Sequence, residues 1–306
     1  MSRPRILVLA DPKPQEMADR LAADYRIVRD IADAGDVEIV LTTGGLGLSS
    51  AQMAALPALR LIAVNGVGVD AVDLEQARAR GIQVTTTPDV LSEAVAEMAL
   101  ALALAAGRRI AEGDRFTRAG DWAAGGKLGL GQPVLGRPAG ILGYGRIGRR
   151  LAGMLRALGS EVLYTSRSEK PDSSDGFRPD ALALARDCEL LFVTAAGGED
   201  TRGLVGAAEL AALGPSGILI NVARGSLVDN AALAEALAQG RIAAAGLDVV
   251  EGEPQVPQAL LSAPNCVLTP HIGSATAQAR RAMAELVLDN IAAFTAGRPL
   301  PTPYGT

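Results

Sequence analysis

The sequence predicts an α/β protein with two doubly wound parallel sheets, and three observations lead to this prediction. Short apolar segments typical of buried strands alternate along the chain with segments of helical periodicity. A glycine-rich turn at residues 143–148 lies between a predicted strand and a predicted helix. The length of 306 residues and the hydrophobic content of 49% are sufficient for two domains with separate cores.

The N-terminal third is predicted to form strands that alternate with helices. One helix continues through Ala23, and another spans Leu74–Arg80 and ends at Gly81. Glycine-rich loops follow the third and fourth strands at Gly44–Gly47 and Gly66–Gly68, where open α/β sheets bind ligands. The backbone N–H groups of Gly66, Val67 and Gly68 would suit a substrate carboxylate, although glycines that only form turns are the alternative. The predicted strands are Arg5–Ala10, Tyr25–Val28, Val37–Thr43, Leu59–Asn65 and Ile82–Thr87.

The next segment is predicted to connect the two domains. Ser92–Gly107 is apolar on nearly every face, which predicts a long buried helix. Arg108–Trp122 is charged and amphipathic, and Ala123–Gly136 is glycine-rich and irregular.

The stretch Arg137–Ser168 is predicted to form a strand, a glycine turn, a helix and a second strand. Its turn, Gly143-Tyr144-Gly145-Arg146-Ile147-Gly148, has the G-x-G-x-x-G pattern. Gly143 and Gly145 permit a tight turn and close approach to pyrophosphate, and Gly148 permits close packing of helix and strand. The helix N-terminus would present free N–H groups to the anion. Because the pattern lies in a βαβ unit of about 30 residues, it predicts a dinucleotide site rather than a purely structural turn.

The end of the second strand indicates which dinucleotide is bound. NAD sites usually place a carboxylate about 20 residues after the first glycines, where this chain has Ser166-Arg167-Ser168. An arginine flanked by hydroxyls suits a 2′-phosphate, which a carboxylate would repel. We therefore expect NADP(H), with NAD(H) also possible because Glu169 follows directly. A solvated loop position for Arg167 is the alternative.

Polar stretches follow the predicted strands of the last third. A helix with Asp229 as its N-cap ends at Gly240, and a final helix spans about Ala275–Thr295. The predicted strands are Glu189–Thr194, Gly217–Ala223, Ala243–Val249 and Cys266–Pro270, and the polar stretches are residues 221–229, 246–254 and 269–274.

These stretches resemble the marks of the D-2-hydroxyacid dehydrogenases. After the central glycine turn, the chain has N-x-x-R-G-x-x-V-D at residues 221–229, G-L-D-V…E-P at 246–254 and P-H-I-G at 270–273. The order and spacing are those of the family, and the resemblance covers nearly the whole chain. TTTPDVLSEAVAEMAL at residues 85–100 and TSRS at 165–168 look most like the glyoxylate/hydroxypyruvate reductase branch, which uses NADPH.

The resemblance implies roles for three catalytic residues. His271 would be the general acid/base, Glu253 its carboxylate partner and Arg224 the substrate-binding cation. Imidazole suits proton delivery to a developing alkoxide near neutral pH, and a neighbouring carboxylate favours the charged imidazolium. An arginine fork can pair with the substrate carboxylate and polarise the ketone. The alternatives are a structural histidine, a turn residue at Glu253 and a charge at the start of a helix at Arg224.

The resemblance also implies a set of binding residues. Asp248 would lie beside the nicotinamide carboxamide, although it could equally satisfy backbone donors at a strand end. The expected substrate-binding residues are Gly66, Val67, Gly68, Arg224 and His271. The expected cofactor-binding residues are Gly143, Tyr144, Gly145, Arg146, Ile147, Gly148, Ser166, Arg167, Ser168, Val222, Ala223, Asp248 and Gly273.

Two domains of the dinucleotide-binding Rossmann type are expected. The substrate domain comprises residues 1–98 and 275–306, the cofactor domain comprises residues 99–274, and the active site occupies the cleft. The expected reaction is NADPH-dependent reduction of a small 2-oxo acid, such as glyoxylate or hydroxypyruvate, to the D-2-hydroxy acid. An NAD(P)H-sensing binding protein or co-repressor of the same fold is the alternative.

Composition and charge narrow the classes of partner. The net charge of −5 argues against nucleic acid or an anionic membrane as the main partner. The apolar runs are too short for a membrane span or a signal peptide, so we expect a cytoplasmic protein. Cys188 and Cys266 precede strand-like runs and are expected to be buried free thiols rather than a disulfide or metal site. The resemblance implies a homodimer formed through the cofactor domain, with Arg108 and Trp122 as candidate interface residues and ordinary packing as their alternative.

Overall fold

The structure is a computed structural model, and it describes residues 3–305. These residues form two compact units, one of residues 3–91 and 274–305 and one of residues 92–273. Each unit contains one sheet, of five strands in the first and seven in the second, and all pairings between these strands are parallel. The predicted α/β class with two parallel sheets is therefore confirmed, and the first unit is discontinuous in sequence.

The first unit has the strand order β2-β1-β3-β4-β5. Alternate residues of its strands enter two separate cores, with Leu7, Val40 and Ile62 in one and Ile6, Leu41 and Leu61 in the other. Burial on both faces explains why the central strands β3 and β4 are buried along their whole length and almost entirely apolar. The elements are β1 (Arg5–Val8), α1 (Gln15–Asp24), β2 (Arg26–Val28), β3 (Ile39–Thr42), α2 (Ser50–Ala54), β4 (Leu61–Val64), α3 (Leu74–Ala79) and β5 (Gln83–Thr85).

The second unit has the strand order β12-β11-β10-β9-β6-β7-β8. Strands β7 and β8 are added on one side of β6 and strands β9 to β12 on the other, so the order of the strands reverses between β6 and β9. Ligands of such sheets bind at this switch point, beyond the carboxyl ends of the strands. The elements are α4 (Ser92–Gly107), α5 (Ile110–Arg118), β6 (Ala139–Leu142), α6 (Arg146–Ala157), β7 (Val162–Thr165), β8 (Gly176–Phe177), α7 (Ala181–Asp187), β9 (Leu190–Val193), α8 (Ala207–Leu213), β10 (Ile218–Asn221), α9 (Asn230–Ala238), β11 (Ala244–Leu247), α10 (Gln258–Leu261) and β12 (Cys266–Leu268).

The last helix, α11 (Ala277–Thr295), belongs to the first unit. Its Val287, Leu288 and Ile291 pack into the same core as Ile6 and Leu61. A buried apolar stripe at this helical spacing explains why the chain returns to the unit in which it began.

The structure adds β8 and the short helices α2, α7, α8 and α10 to the predicted elements. None of these helices exceeds seven residues, which is too short for a clear hydrophobic period. A local signal was present for α7, because the side chain of Asp180 caps it by accepting from the N–H of Ala183.

Cys188 and Cys266 are buried free thiols, as predicted. Burial raises the pKa of each thiol to about 12, so both remain protonated at neutral pH. Among residues 3–305, no helix is both long and apolar enough to cross a membrane. The same described residues contain no group of three or more His, Cys, Asp or Glu side chains that could hold a metal ion.

Candidate active site

Three neighbouring strands of the second unit carry the predicted catalytic residues in the loops that follow them. Asn221 at the end of β10 pairs with Leu247 at the end of β11, and Leu247 pairs with Leu268 at the end of β12. The three strands therefore end side by side at one edge of the sheet. Arg224 follows β10, Glu253 follows β11 and His271 follows β12, so parallel pairing assembles them from distant parts of the chain.

His271 and Glu253 are in hydrogen-bond contact, with Nδ1 of His271 2.5 Å from Oε1 of Glu253. The other carboxylate oxygen of Glu253 accepts from the N–H of Val250 at 3.3 Å, which orients the carboxylate. A proton on Nδ1 is donated to Glu253, so Nε2 is the ring atom left to exchange a proton with another molecule. Both side chains are about half exposed. This arrangement is suited to a general acid/base.

Asp248 holds the loop on both sides of His271. Its side chain is 2% exposed and accepts hydrogen bonds from Oγ1 of Thr269 at 2.6 Å, the N–H of Ile272 at 2.8 Å and the N–H of Gly273 at 2.7 Å. His271 itself has a φ of +52°, in the left-handed region that side chains rarely adopt. The surrounding contacts must offset this strain, and Asp248 supplies three of them. The sequence left two interpretations of Asp248. The structure shows that its carboxylate accepts from donors at a strand end, which is one of the two.

Asn221, which the sequence did not single out, shapes the loop that carries Arg224. It is buried, its Nδ2 donates to the carbonyl of Arg224 at 2.8 Å, and its Oδ1 accepts from the N–H of Ala223 at 3.0 Å. The Arg224 side chain is partly buried, and its Nη1 donates to the carbonyl of Ala223 at 2.6 Å. The N-x-x-R spacing was the available signal, because an amide at a strand end can close a tight turn onto a residue three positions later.

Gly225 brings the Arg224 loop against the loop that follows β11. A Cβ at this position would lie 2.0 Å from the backbone N of Glu251 and 2.0 Å from the carbonyl carbon of Val250. Only a residue without a side chain permits this approach. The loops of Arg224 and Glu253 are therefore in direct backbone contact.

The glycine turn after β6 combines one tightly packed glycine with one open glycine. Gly143 has a φ of +100°, and a Cβ there would lie 2.4 Å from the backbone of Ala195 in the loop after β9. At Gly145, by contrast, no described protein atom lies within 4 Å of a Cβ position. The open space beside Gly145 is where a ligand can approach the backbone. Gly145 is also the N-cap of α6, so the first N–H groups of this helix point toward that space without a side-chain cap.

The other residues of the turn are placed differently. Tyr144 is buried, and its ring stacks on the ring of Tyr164 with centroids 4.1 Å apart. Burial, followed by the hydrogen bond from its hydroxyl to Asp175, raises the pKa of Tyr144. Tyr144 can therefore offer a ligand only its backbone. Arg146 is exposed, Ile147 is partly buried, and Gly148 packs close to the carbonyl of Gly143.

Ser166, Arg167 and Ser168 form a turn at the end of β7. The hydroxyl of Ser166 donates to the carbonyl of Ser168 at 2.6 Å, which closes the turn. Arg167 is exposed, and within residues 3–305 it has no hydrogen bond or ion pair. Its guanidinium is therefore available to an anion from outside the protein. Val222 and Ala223 are buried beside the Arg224 loop, and Gly273 lies against the carboxylate of Asp248.

Gly66, Val67 and Gly68 lie in the first unit, at the carboxyl end of β4. Gly44, after the neighbouring β3, approaches so closely that a Cβ on it would lie 2.4 Å from the carbonyl oxygen of Gly68. The two glycine-rich loops of this unit are therefore packed against one another at the same sheet edge.

Comparisons with known proteins identify relatives of the whole chain. The family model described as D-isomer specific 2-hydroxyacid dehydrogenase, NAD binding domain, matches residues 100–273. The 2-ketogluconate reductase of Gluconobacter oxydans (strain 621H) is 41% identical over 310 residues, which cover 99% of each chain. Two solved structures are similar over their lengths. A 2-hydroxyacid dehydrogenase from Ketogulonicigenium vulgare Y25 has a TM-score of 0.90 at 44% identity and covers 99% of this chain and 98% of its own. An NADPH-dependent glyoxylate/hydroxypyruvate reductase from Sinorhizobium meliloti, solved in complex with NADP and malonate, has a TM-score of 0.93 at 41% identity. The match covers 99% of this chain and 97% of that chain.

Replacing Asp248 by Asn tests the role of its carboxylate in holding the His271 loop. An amide offers one acceptor oxygen to three donors, so at least one buried donor loses its partner. We expect Asp248→Asn to lower the free energy of unfolding by about 2 kcal/mol, measured by denaturant titration. Asp200→Asn is the matched control, because Asp200 is exposed in the same unit, and its effect should stay within about 0.5 kcal/mol. Equal stabilities of the two variants would contradict the assignment.

Proposed function

Because the chain belongs to the D-isomer specific 2-hydroxyacid dehydrogenase family, we propose that it reduces a small 2-oxo acid to the D-2-hydroxy acid with NADPH. The chain is an oxidoreductase of a nicotinamide-dependent family, and the resemblance found in its motifs is confirmed. The observation that carries the proposed chemistry is the contact between His271 and Glu253. Asp248 holds the loop on which His271 lies. We propose glyoxylate and hydroxypyruvate as substrates, supported by relatives named as reductases of these acids.

We assign the second unit as the cofactor domain and the first unit as the substrate domain. The match of the NAD-binding family model to residues 100–273, almost the whole second unit, supports this assignment. Gly143 to Gly148 and the N-terminus of α6 would hold the pyrophosphate. Val222, Ala223, Asp248 and Gly273 would line the nicotinamide end, and the bound cofactor supplies a hydride.

We assign the 2′-phosphate of NADP(H) to Ser166, Arg167 and Ser168. In support, Arg167 is exposed and has no partner among the described residues, and the neighbouring Ser168 is exposed as well. The hydroxyl of Ser166 donates to the carbonyl of Ser168, so it shapes the turn and can only accept from a ligand. An arginine fork and a hydroxyl donor match the geometry of a phosphate. NAD(H) lacks this phosphate and would bind through the remaining contacts, so we expect it to be a weaker cofactor.

In the proposed mechanism, His271 supplies the proton and Glu253 keeps it available. With Nδ1 bound to Glu253, the imidazolium presents the proton on Nε2 to the carbonyl oxygen of the substrate as negative charge develops there. Glu253 stabilises the charged ring before transfer and fixes its orientation. Reprotonation from water then returns the ring to its starting state.

Arg224 would bind the carboxylate of the 2-oxo acid and polarise its carbonyl group. Asn221 fixes the backbone on both sides of Ala223, so the arginine is held before substrate arrives. Preorganised charge of this kind stabilises a developing alkoxide because no reorganisation is needed at the moment of reaction. In the first unit, the N–H of Gly66 donates to the carbonyl of Val64 at 3.1 Å. Of the three backbone N–H groups expected to bind a carboxylate, we therefore assign only those of Val67 and Gly68 as a candidate carboxylate site of that unit.

Turnover separates this proposal from an NAD(P)H-sensing protein that binds cofactor without catalysis. We expect steady-state oxidation of NADPH with glyoxylate or hydroxypyruvate, and His271→Ala should lower kcat by about 10²- to 10⁴-fold because the general acid is lost. The dissociation constant for NADPH, measured by fluorescence titration, should stay within about twofold, since the ring does not hold the cofactor.

A matched pair of carboxylates provides the control for this test. Glu253→Gln should also lower kcat, because it changes the carboxylate that contacts His271. Glu251→Gln should leave kcat unchanged, because Glu251 lies two residues away and pairs with Arg202 instead. Tight NADPH binding with no turnover of any 2-oxo acid would favour the sensor. An active His271→Ala variant would remove the role of His271.

Replacing Arg167 tests the assignment of the 2′-phosphate. Arg167→Ala should raise KM for NADPH by about tenfold to a hundredfold, the usual effect of losing hydrogen bonds to a charged group, and change KM for NADH by less than about twofold. Arg186→Ala is the control, because Arg186 is an exposed arginine on α7 of the same unit. Equal losses with the two cofactors would overturn the assignment.

We propose that the protein forms a homodimer through the cofactor domain. In support, apolar side chains between α5 and β6 are unusually exposed, with Trp122 at 69% and Leu130 at 96%. Apolar groups this exposed are typical of protein–protein contacts, and a second copy of this chain is the occupant we assign.

Sedimentation velocity should therefore give twice the mass of the chain. Leu130→Glu should shift the protein toward the monomer because it places a charge in the apolar contact. Leu261→Glu changes an exposed leucine of α10 in the same unit and should leave the dimer intact. A monomeric wild-type protein would refute the dimer.

A further inference from the structure

We propose that the hydroxyl of Tyr164 and the carboxylate of Asp175 are positioning groups that set the preference for NADP(H) over NAD(H). They would do so by holding in place the turn that carries Arg167. This inference rests on the proposed function, in which Ser166, Arg167 and Ser168 bind the 2′-phosphate.

Tyr164 anchors the far end of the turn. It lies on β7, one residue before the strand ends, and it is 1% exposed. Its hydroxyl accepts from the backbone N–H of Lys170 at 2.7 Å. Because Tyr164 precedes the turn and Lys170 follows it, this hydrogen bond closes the chain around Ser166, Arg167 and Ser168. The turn is therefore held to a buried side chain at its C-terminal end, as β7 holds it at its N-terminal end.

Asp175 anchors the segment that continues from Lys170 to β8. Its side chain is 3% exposed, accepts from the hydroxyl of Tyr144, and receives Nη1 of Arg156 at 2.6 Å on both carboxylate oxygens. Ser173 joins the same group, since its hydroxyl donates to the hydroxyl oxygen of Tyr144 at 3.1 Å. The segment after the turn is thus attached to the glycine turn and to α6.

The two anchors meet in the stacked rings of Tyr144 and Tyr164, whose centroids are 4.1 Å apart at an interplanar angle of 28°. Tyr144 belongs to the glycine turn that would bind pyrophosphate, and Tyr164 supports the turn that would bind the 2′-phosphate. The two phosphate-binding elements therefore share one buried support, which fixes the distance between them.

Three carboxylates follow Arg167 closely in sequence. Glu169 is exposed and has no partner among the described residues, whereas the other two are paired. Asp172 and Asp175 follow Arg167 closely in sequence and would repel a phosphate if they were unpaired. Asp172 instead pairs with both terminal nitrogens of Arg149 at 2.9 and 3.0 Å, and Asp175 pairs with Arg156. The two carboxylates are thus neutralised by arginines of α6, while Arg167 has no intramolecular partner within the described residues.

A turn that is already ordered loses less conformational entropy when its ligand binds. The 2′-phosphate would gain from this order because it contacts the turn directly. NAD(H) has a hydroxyl at that position and makes no phosphate contact there, so disorder in the turn costs it little. Loosening either anchor should therefore weaken NADP(H) selectively.

The test compares kcat/KM for NADPH and NADH in variants that preserve size. Tyr164→Phe keeps the stacked ring and removes only the hydroxyl, and Asp175→Asn keeps the shape and removes the charge. We expect each to lower kcat/KM for NADPH by about fivefold to tenfold, through KM rather than kcat, and to change kcat/KM for NADH by less than about twofold. Tyr25→Phe is the matched control, because it removes a tyrosine hydroxyl that lies 2.9 Å from Oγ1 of Thr295 in the first unit.

The outcomes separate this inference from the function on which it rests. If Arg167→Ala abolishes the preference for NADPH but both positioning variants retain the wild-type ratio, the inference is wrong and the phosphate assignment stands. If the two variants weaken both cofactors equally, their effect is on the fold alone and the inference is also wrong. If Arg167→Ala leaves the ratio unchanged, the cofactor assignment itself fails. Thermal unfolding checks that each variant is folded, and Tyr164→Phe decides the question if Asp175→Asn does not fold.

Discussion

The carboxylate of Asp248 is the interaction on which the rest of the candidate site depends. It is buried at the end of β11 and accepts from Thr269, Ile272 and Gly273, which all belong to the segment after β12. The backbone N–H of Asp248 in turn donates to the carbonyl of Asn221 at 2.9 Å. A charged group this deeply buried is stable only when it is fully hydrogen-bonded, so the loops must adopt one arrangement around it. The left-handed conformation of His271 is part of that arrangement.

The loops of the candidate site in the second unit follow the carboxyl ends of parallel strands along one edge of its sheet. On one side of the switch point are the turns after β6 and β7, to which we assign the phosphates of the cofactor. On the other side, the loops after β10, β11 and β12 carry a cation, a carboxylate and an imidazole. Because all these strands are parallel, their carboxyl ends lie on the same edge, and loops more than 100 positions apart in the chain, such as those of Gly143 and His271, begin there.

The glycine turn and the loops of Arg224, Glu253 and His271 indicate different parts of the proposed function. The turn indicates a dinucleotide, which many unrelated enzymes bind. The pairing of His271 with Glu253 indicates the chemistry, and the residues after β7 bear on the choice of cofactor. The proposed function therefore assigns cofactor choice and chemistry to separate loops of one sheet, and we expect substitutions in one to leave the other unchanged.

Much of this protein followed from sequence alone. Strands buried on both faces are apolar throughout, long helices show their periodicity, and motifs after strands record which residues meet at the sheet edge. These are local properties, which is why β6, α4 and the position of His271 were predictable. The tertiary structure decided the rest. The carboxylate of Asp248 could have faced a ligand or its neighbours, and only the folded β12 loop brings the three donors to it. Tyr144, Tyr164 and Asp175 lie in separate segments of the chain, and no motif or spacing links them in the sequence. Their association depends on side-chain packing and hydrogen bonds that only the folded structure shows.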